Sequence, residues 1–408
     1  MMEEQTAIVC LKECGMPKHS LDNVFINGFR GLRDLKVNDL GRINILVGEN
    51  NSGKTSVLEA LSILCNPYEP FEWLSMVRRR DFGGLDETRV QSLRWCFFQT
   101  GELIDSDVFF QGQCDMECSG RFRSGTLHVE YEDMIGEPSP RELERLTRHR
   151  TGTGYSPDEQ WRGAQISHFV ESGPRPVDPS LQGSSTHSRI EPITIQVWEE
   201  DRMVGRVPRP RRPGNLPTET LTPYSYQLNT IQVRSQSRQM FLPLDTPLDE
   251  RKFLLDILAE FDADIIDIGV ASFRGARPAI YLNHRQLGPA PLSVFGDAIR
   301  RAVLLANTLK QLSGGGVLLI DEVETGIHVS ALERVFAWMS KVASQLDVQL
   351  IATTHSLEAV DAISASMANC IDDLATYHLE QLCGKTNAKR ISGELLLRIR
   401  HERGLDVR

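Results

Sequence analysis

Gly48-Glu49-Asn50-Asn51-Ser52-Gly53-Lys54-Thr55-Ser56 carries every fixed position of the phosphate-binding pattern G-x-x-x-x-G-K-[ST]. The chemistry open to such a stretch is the holding of nucleotide phosphates. Backbone N–H groups from Gly48 through Gly53, with the N-terminus of a following helix, would cradle the anion. Lys54 would add a point charge toward the β- and γ-phosphates, and the Thr55 hydroxyl would reach a Mg²⁺ ion.

Far downstream, Gly316-Val317-Leu318-Leu319-Ile320-Asp321-Glu322 delivers two acids at the end of an apolar run. Asp321 would hold Mg²⁺, directly or through water, and Glu322 would polarise an attacking water as general base. A third stretch, Gln349-Leu350-Ile351-Ala352-Thr353-Thr354-His355-Ser356, again ends an apolar run in polar residues. An isolated His after a strand is usually structural. Placed after Asp321 and Glu322, His355 reads as a sensor of the γ-phosphate.

These residues need strands that stop beside one another. Arg42–Val47 is apolar and β-branched enough for a buried strand, and Val57–Leu64 has helical periodicity, so the phosphate stretch would be a strand–turn–helix junction. Val317–Ile320 and Gln349–Thr353 read as buried strands, and Leu248–Phe261, Val294–Leu312, Ser330–Leu346 and Ser356–Ile363 as helices, with Ala279–Leu282 another strand. That alternation predicts an α/β fold around a parallel sheet with covered faces.

The first part is richer in strand patterns. Val24–Leu32 and Leu35–Val37 suggest an opening hairpin, Ser92–Gln99 a strand, residues 119–132 a half-exposed strand and Ile193–Trp198 another. Residues 136–190 are rich in Pro, Ser, Gly, Arg and Glu, and predict a surface insertion, helical over Pro140–Arg148. The expected division is 20–100 and 246–408 as two halves of one head, with 101–245 an inserted lobe.

With 40% hydrophobic and 25% charged residues in 408, the composition is that of a globular protein, and the net charge of −10 argues against general polyanion binding. Local basic runs, Arg78–Arg80 and Arg206–Arg212, are either solvated segments or contacts to a nucleic acid or acidic partner. No apolar run approaches the ~18 residues of a membrane span, and the acidic start lacks a secretory h-region, so a cytoplasmic protein without membrane contact is expected. Cys10/Cys14 and Cys114/Cys118 lack metal-ligand spacing and read as reduced thiols.

A phosphate loop near the start, a distant Asp-Glu strand and a strand ending in His resemble the ABC-type ATPase set. In detail, Phe29-Arg30-Gly31-Leu32, Gly48–Ser56, Gly296–Arg301, Asp321–His328, Thr353–Ser356 and the closing Gly404–Arg408 resemble stand-alone AAA-type ATPases related to the overcoming-lysogenization-defect nucleases, and more distantly RecF and structural-maintenance-of-chromosomes heads. The similarity covers about residues 22–100 and 245–408. It implies a P-loop NTPase fold of ABC type, with an N-terminal β-rich lobe and a mid-chain insertion. It also implies ATP and Mg²⁺ as ligands and a homodimer or higher homo-oligomer with ATP sandwiched between heads.

The segment capping the partner's nucleotide would be Leu292–Ala298, with Ser293, Gly296 and Asp297 near phosphate. Ala298 departs from the family's glycine there, which leaves open which serine takes part. Leu312-Ser313-Gly314-Gly315-Gly316 looks like the signature L-S-G-G-Q, but it abuts the Asp321 strand and is read as a tight turn. By the same resemblance Gln99, with Gln91 as the alternative, would link to Mg²⁺. Arg30 would touch nucleotide unless it is an edge-strand charge. Glu324, Gly326 and His328 would cross to the partner, unless His328 caps the next helix. Relatives of this kind often serve anti-phage defence, controlling a protein effector encoded nearby. A RecF-like grip on DNA is the alternative.

Overall fold

Ile43–Val47 (β3) is buried at all five positions, the pattern of a parallel strand covered on both faces. It pairs in parallel with Gln349–Thr353 (β13) on one side and Leu374–Leu382 (β14) on the other. Val317–Ile320 (β12) follows β13, then Thr218–Leu221 (β8), both parallel. Lys385–Ser392 (β15) closes the far edge antiparallel to β14, giving the order β15-β14-β3-β13-β12-β8. The three strands carrying the phosphate loop, His355 and Asp321-Glu322 are therefore consecutive. This computed structural model describes residues 19–80, 88–99, 109–138, 160–172, 192–199, 214–225, 248–271, 279–382 and 384–408.

A second six-stranded sheet is antiparallel. Asn23–Asn27 (β1) and Leu35–Val37 (β2) form the expected hairpin, and Gln111–Ser119 (β4), Gly125–Gly136 (β5), Trp161–Ser172 (β6) and Ile193–Trp198 (β7) extend it in the order β2-β1-β4-β5-β6-β7. Helix α1 (Lys54–Cys65) lies between the two sheets. Ten of its twelve residues are buried, as expected of a helix covered on both sides; seven of the ten are apolar, and Lys54, Glu59 and Ser62 are the polar exceptions. Its core partners include Ile26, Met116 and Leu127 of one sheet and Val317, Leu319 and Ile351 of the other.

The opposite face of the parallel sheet is covered by helices Val329–Gln345 and Leu357–Ser366, through Phe336, Met339, Val360 and Ile363. A smaller three-stranded sheet, β11-β10-β9 (Gly288–Pro291, Ala279–His284, Ile265–Ala271), packs with Leu248–Ala259 and Asp297–Gln311 in a core of its own.

Several sequence expectations are corrected. Ser92–Gln99 is not a strand: Thr88 and Gln91 form a reciprocal capping box that starts a short helix, Arg89–Arg94, and Phe97 meets Phe29 only as an isolated bridge. Residues 136–190 do not form only a surface insertion, because β6 lies inside them, with Ala164, Ile166, His168 and Val170 buried. The segment 101–245 is not a lobe apart. Its strands β4–β7 continue the sheet begun by β1, and β8 joins the parallel sheet. The helix proposed over Pro140–Arg148 and the basic run Arg206–Arg212 lie outside the described residues.

One buried polar link fastens the antiparallel sheet to the helix after α1. The indole of Trp73, in Phe71–Arg80 (α2), donates to His168 Nε2 at 2.7 Å, and His168 Nδ1 lies 2.7 Å from the Pro67 carbonyl. Trp can only donate, so Nε2 holds the lone pair and Nδ1 the proton. Burial pushes this imidazole down to about 4, from an ordinary 6.5. Its folded value is depressed, so the unfolded chain takes up the proton first as pH falls. The link's contribution is complete above pH 6.5 and is lost on descent toward pH 4. That window corresponds to about 3 kcal/mol of stability. Urea unfolding at pH 7 and pH 4.5 should record a loss of that order. The loss should shrink in His168→Gln, whose amide can accept from Trp73 but cannot titrate.

Candidate nucleotide site

The chain leaves β3 at Val47 and turns through Gly48 (φ 143) and Asn51 (φ 65) into Gly53 (φ 94), which caps α1. A side chain at Gly48 would lie 2.4 Å from the Leu379 carbonyl oxygen, and one at Gly53 would lie 2.8 Å from Leu32. Both glycines are needed for conformation and for space. Lys54 is buried, and its ammonium donates to the carbonyls of Gly48 (2.8 Å) and Glu49 (2.7 Å) and to Ser52 Oγ (3.4 Å). Burial lowers its pKa, against which the charges of Asp321 and Glu322 work. Asn50 and Asn51 are exposed at the turn, while Ser52 is buried with its N–H donated to Glu49.

Thr55 opens α1 and its hydroxyl lies 3.1 and 3.2 Å from the two carboxylate oxygens of Asp321. A hydroxyl and a carboxylate facing each other beside a phosphate cradle are hard oxygen donors, the set that suits Mg²⁺. Thr353 Oγ1 donates to Asp321 Oδ1 at 2.7 Å and accepts the Glu322 N–H at 2.9 Å. Glu322 is left-handed (φ 50), a conformation that costs a residue with a side chain about 1–2 kcal/mol. Its carboxylate accepts from Thr325 Oγ1 at 3.1 Å. His355 stands exposed at the tip of β13, with its N–H donated to Glu324 and its carbonyl accepting from Arg408.

The fold thus brings Gly48–Ser56, Asp321, Glu322 and His355 to the same end of three adjacent strands, where an open α/β sheet presents ligands. Other candidates fall elsewhere. Gln99 folds back on its own turn, donating to the carbonyls of Arg94 and Phe97, both at 2.9 Å. The alternative, Gln91, is engaged in the helix cap.

Arg30 (φ 51) ion-pairs with Glu59 of α1 at 2.8 Å, and Arg80 grips the other oxygen of that buried carboxylate at 2.7 Å. Arg79 is held by buried Glu72. Two of the three arginines of Arg78–Arg80 therefore neutralise interior glutamates. His328 caps helix Val329–Gln345, as one of its two readings anticipated. The glycines of Leu312–Gly316 form a turn with Gly314 and Gly315 at positive φ, their N–H groups bonded to Leu346 and Asp347.

Ser293 and Gly296 are exposed at the start of helix Asp297–Gln311 (α5), whose first turn has no side-chain cap. Its N–H groups are open to an anion. One turn into α5, buried Arg301 donates to the carbonyl oxygens of Glu322 (2.9 Å) and Val323 (3.3 Å). Arg301, Thr325 and Thr353 lie inside the segments that carried the resemblance, Gly296–Arg301, Asp321–His328 and Thr353–Ser356, but sequence reasoning gave none of them a role, since their partners at Asp321 and Glu322 are brought together only by the fold.

A second group with metal-ligating side chains is Asp262, Asp264 and His284. His284 Nδ1 accepts the N–H groups of Gln286 and Leu287, which places its proton on Nε2, 3.2 Å from Asp262. That ring offers a cation no lone pair. Cys65, Cys96, Cys114 and Cys118 are buried thiols with pKa values raised by burial, which makes them inert. No described helix is long and apolar enough to cross a membrane.

Two family models match the chain. One, described as an AAA ATPase domain, covers residues 20–133. The other, described as an AAA domain, putative AbiEii toxin of a type IV toxin–antitoxin system, covers residues 203–361. An uncharacterized protein of Methanocaldococcus jannaschii is 32% identical over 102 residues, which is 25% of this chain and 41% of that protein. A protein of Escherichia coli named "Retron Ec83 probable ATPase" is 25% identical over 143 residues, 35% of this chain and 24% of that one. The match spans less than half the length of either relative.

Among solved structures, an SMC head bound to the C-winged helix domain of ScpA aligns over 92% of this chain and 98% of its own, at 10% identity and a TM-score of 0.47. An SMC head domain from Thermotoga maritima aligns over 91% of this chain and 99% of its own, at 12% identity and a TM-score of 0.43.

Proposed function

We propose that this chain, which matches AAA-domain family models over residues 20–133 and 203–361, is an ATPase of the AAA/ABC type that uses ATP to close a homodimer, or a larger assembly built from dimers, and hydrolysis to open it. The state of that cytoplasmic assembly would control a protein effector, a nuclease or toxin encoded nearby, in defence against phage. One observation carries the ATPase reading: Thr55 of the phosphate loop meets Asp321, with Glu322 next in the chain. The defence setting is supported by the AbiEii-type family description and by the retron relative.

The chemistry follows from the placement of the side chains. When bound, Mg²⁺ would be held by Thr55 and Asp321 and would neutralise charge on the phosphate oxygens. Lys54 and the loop N–H groups would hold the phosphates, exchanging the lysine's bonds to Gly48 and Glu49 for bonds to anionic oxygen. Glu322, its carboxylate fixed by Thr325, would take the proton of the attacking water. His355 would report the γ-phosphate from the tip of β13.

A second copy would supply Ser293, Gly296 and Asp297, which lie at the uncapped start of α5. ATP can drive closure only by binding the closed form better. Moving the equilibrium from 1:99 to 99:1 takes about 5.5 kcal/mol of differential affinity.

The effector claim is tested by immobilising Glu322→Gln protein loaded with ATP or with ADP and presenting the purified products of neighbouring genes. Capture that differs between the two nucleotides by about tenfold or more is expected, a modest coupling energy. Equal capture in both states would remove effector control from the reading.

A further inference from the structure

Asp321 and Glu322 are consecutive, and in a continuing strand their side chains would point to opposite faces. The left-handed turn at Glu322 breaks that alternation and lets both acids serve one site. Three elements grip this residue. Thr353, on the neighbouring strand β13, accepts its N–H. Arg301, from α5, donates to its carbonyl. Thr325, in the turn that follows, donates to its carboxylate.

Thr353 is distinct among them because its single hydroxyl uses both capacities at once. The proton goes to Asp321 Oδ1 and a lone pair takes the Glu322 N–H. The side chain is 1% exposed and β-branched, so packing restricts its rotation.

We propose that Thr353 is the positioning residue for both acids, fixing the Asp321 carboxylate toward Thr55 and locking the left-handed backbone of Glu322, with Arg301 as the second clamp on Glu322 alone. The proposal rests on the ATPase reading for its catalytic consequence, but not for its structural one. Valine fills the space of threonine and lacks both hydrogen bonds. Serine keeps both and gives up the branch.

The test has two independent readouts. In nucleotide-free protein, site-resolved hydrogen exchange at the Glu322 amide should accelerate at least ~10-fold in Thr353→Val and return toward wild type in Thr353→Ser. In steady-state ATPase assays, Thr353→Val should lower kcat about 10- to 100-fold, the scale of an ångström-level misplacement. It should also raise the Mg²⁺ concentration for half-maximal rate severalfold, with ATP affinity measured without Mg²⁺ unchanged. Thr353→Ser should recover both. Arg301→Met should lower kcat without moving the Mg²⁺ requirement, because the bonds Arg301 makes here go to the carbonyls of Glu322 and Val323, past the Asp321 carboxylate.

Unchanged exchange and kcat in Thr353→Val would overturn the proposal, and so would a defect that Thr353→Ser shares. If the wild-type protein proves unable to hydrolyse ATP, the parent reading fails. The exchange readout then decides the clamp by itself.

Discussion

Lys54→Ala should lower ATP turnover by about 10²–10³-fold or more, and weaken ATP binding enough that the purified variant retains no nucleotide. Removing a single preorganised donor from a transition-state site already costs that much. Lys54 supplies a full charge, and it is the only cation the described loop itself places in the cradle, donating to Gly48 and Glu49. The same bonds raise a second consequence, since the lysine helps to shape its own loop. Lys54→Met loses the same bonds as Lys54→Ala but keeps most of the volume, so the pair separates the ammonium from the space that its stem fills. Both variants should be equally inactive, with Lys54→Met the higher-melting of the two. Turnover within tenfold of wild type in both would remove the phosphate assignment.

Glu322→Gln should have an effect as large on rate and the opposite effect on occupancy. The amide oxygen can still accept from Thr325, and the backbone contacts to Thr353 and Arg301 do not involve the side chain. The substitution therefore leaves the turn intact and removes only the proton acceptor. General-base catalysis contributes about 10²–10⁴-fold, and the variant's kcat should fall by that factor. ATP should stay bound through desalting, and light scattering should find a dimer with ATP that ADP does not maintain. A variant that hydrolyses at the wild-type rate would unseat Glu322 as base. One that retains ATP yet stays monomeric would unseat the sandwich.

The parts of this site that could be read from sequence are those whose chemistry demands adjacent residues. A phosphate cradle needs consecutive N–H groups, so Gly48–Ser56 announces itself. The acids must end a buried strand, so Val317–Glu322 is visible too. What joins them is not local. β14 lies directly beside the phosphate-loop strand, yet Leu374–Leu382 mixes apolar and polar residues without a strict period, and it drew no strand prediction. β6 escaped because its inward positions include Ala164 and His168, neither of which signals burial alone. Gln99 was placed by family resemblance, while its amide is satisfied by the carbonyls of its own turn. Thr353 and Arg301 gain meaning only from neighbours 31 and 21 positions away.

The pairing of β3 also governs how the molecule comes into being. Both strands that flank it arrive late: Ile45 lies opposite Ala352 on one side and Thr376 on the other. At ribosomal speeds of about 5–20 residues per second, the wait from Ile45 to Ala352 is roughly 15–60 s. Throughout that interval β3, buried at all five positions in the finished fold, lacks both of its sheet neighbours. Contacts of such long range make folding slow and expose sticky intermediates. The sheet that sets the phosphate loop beside Asp321 and His355 therefore cannot be assembled until β12 and β13 have both been made, so the candidate site exists in no shorter nascent chain.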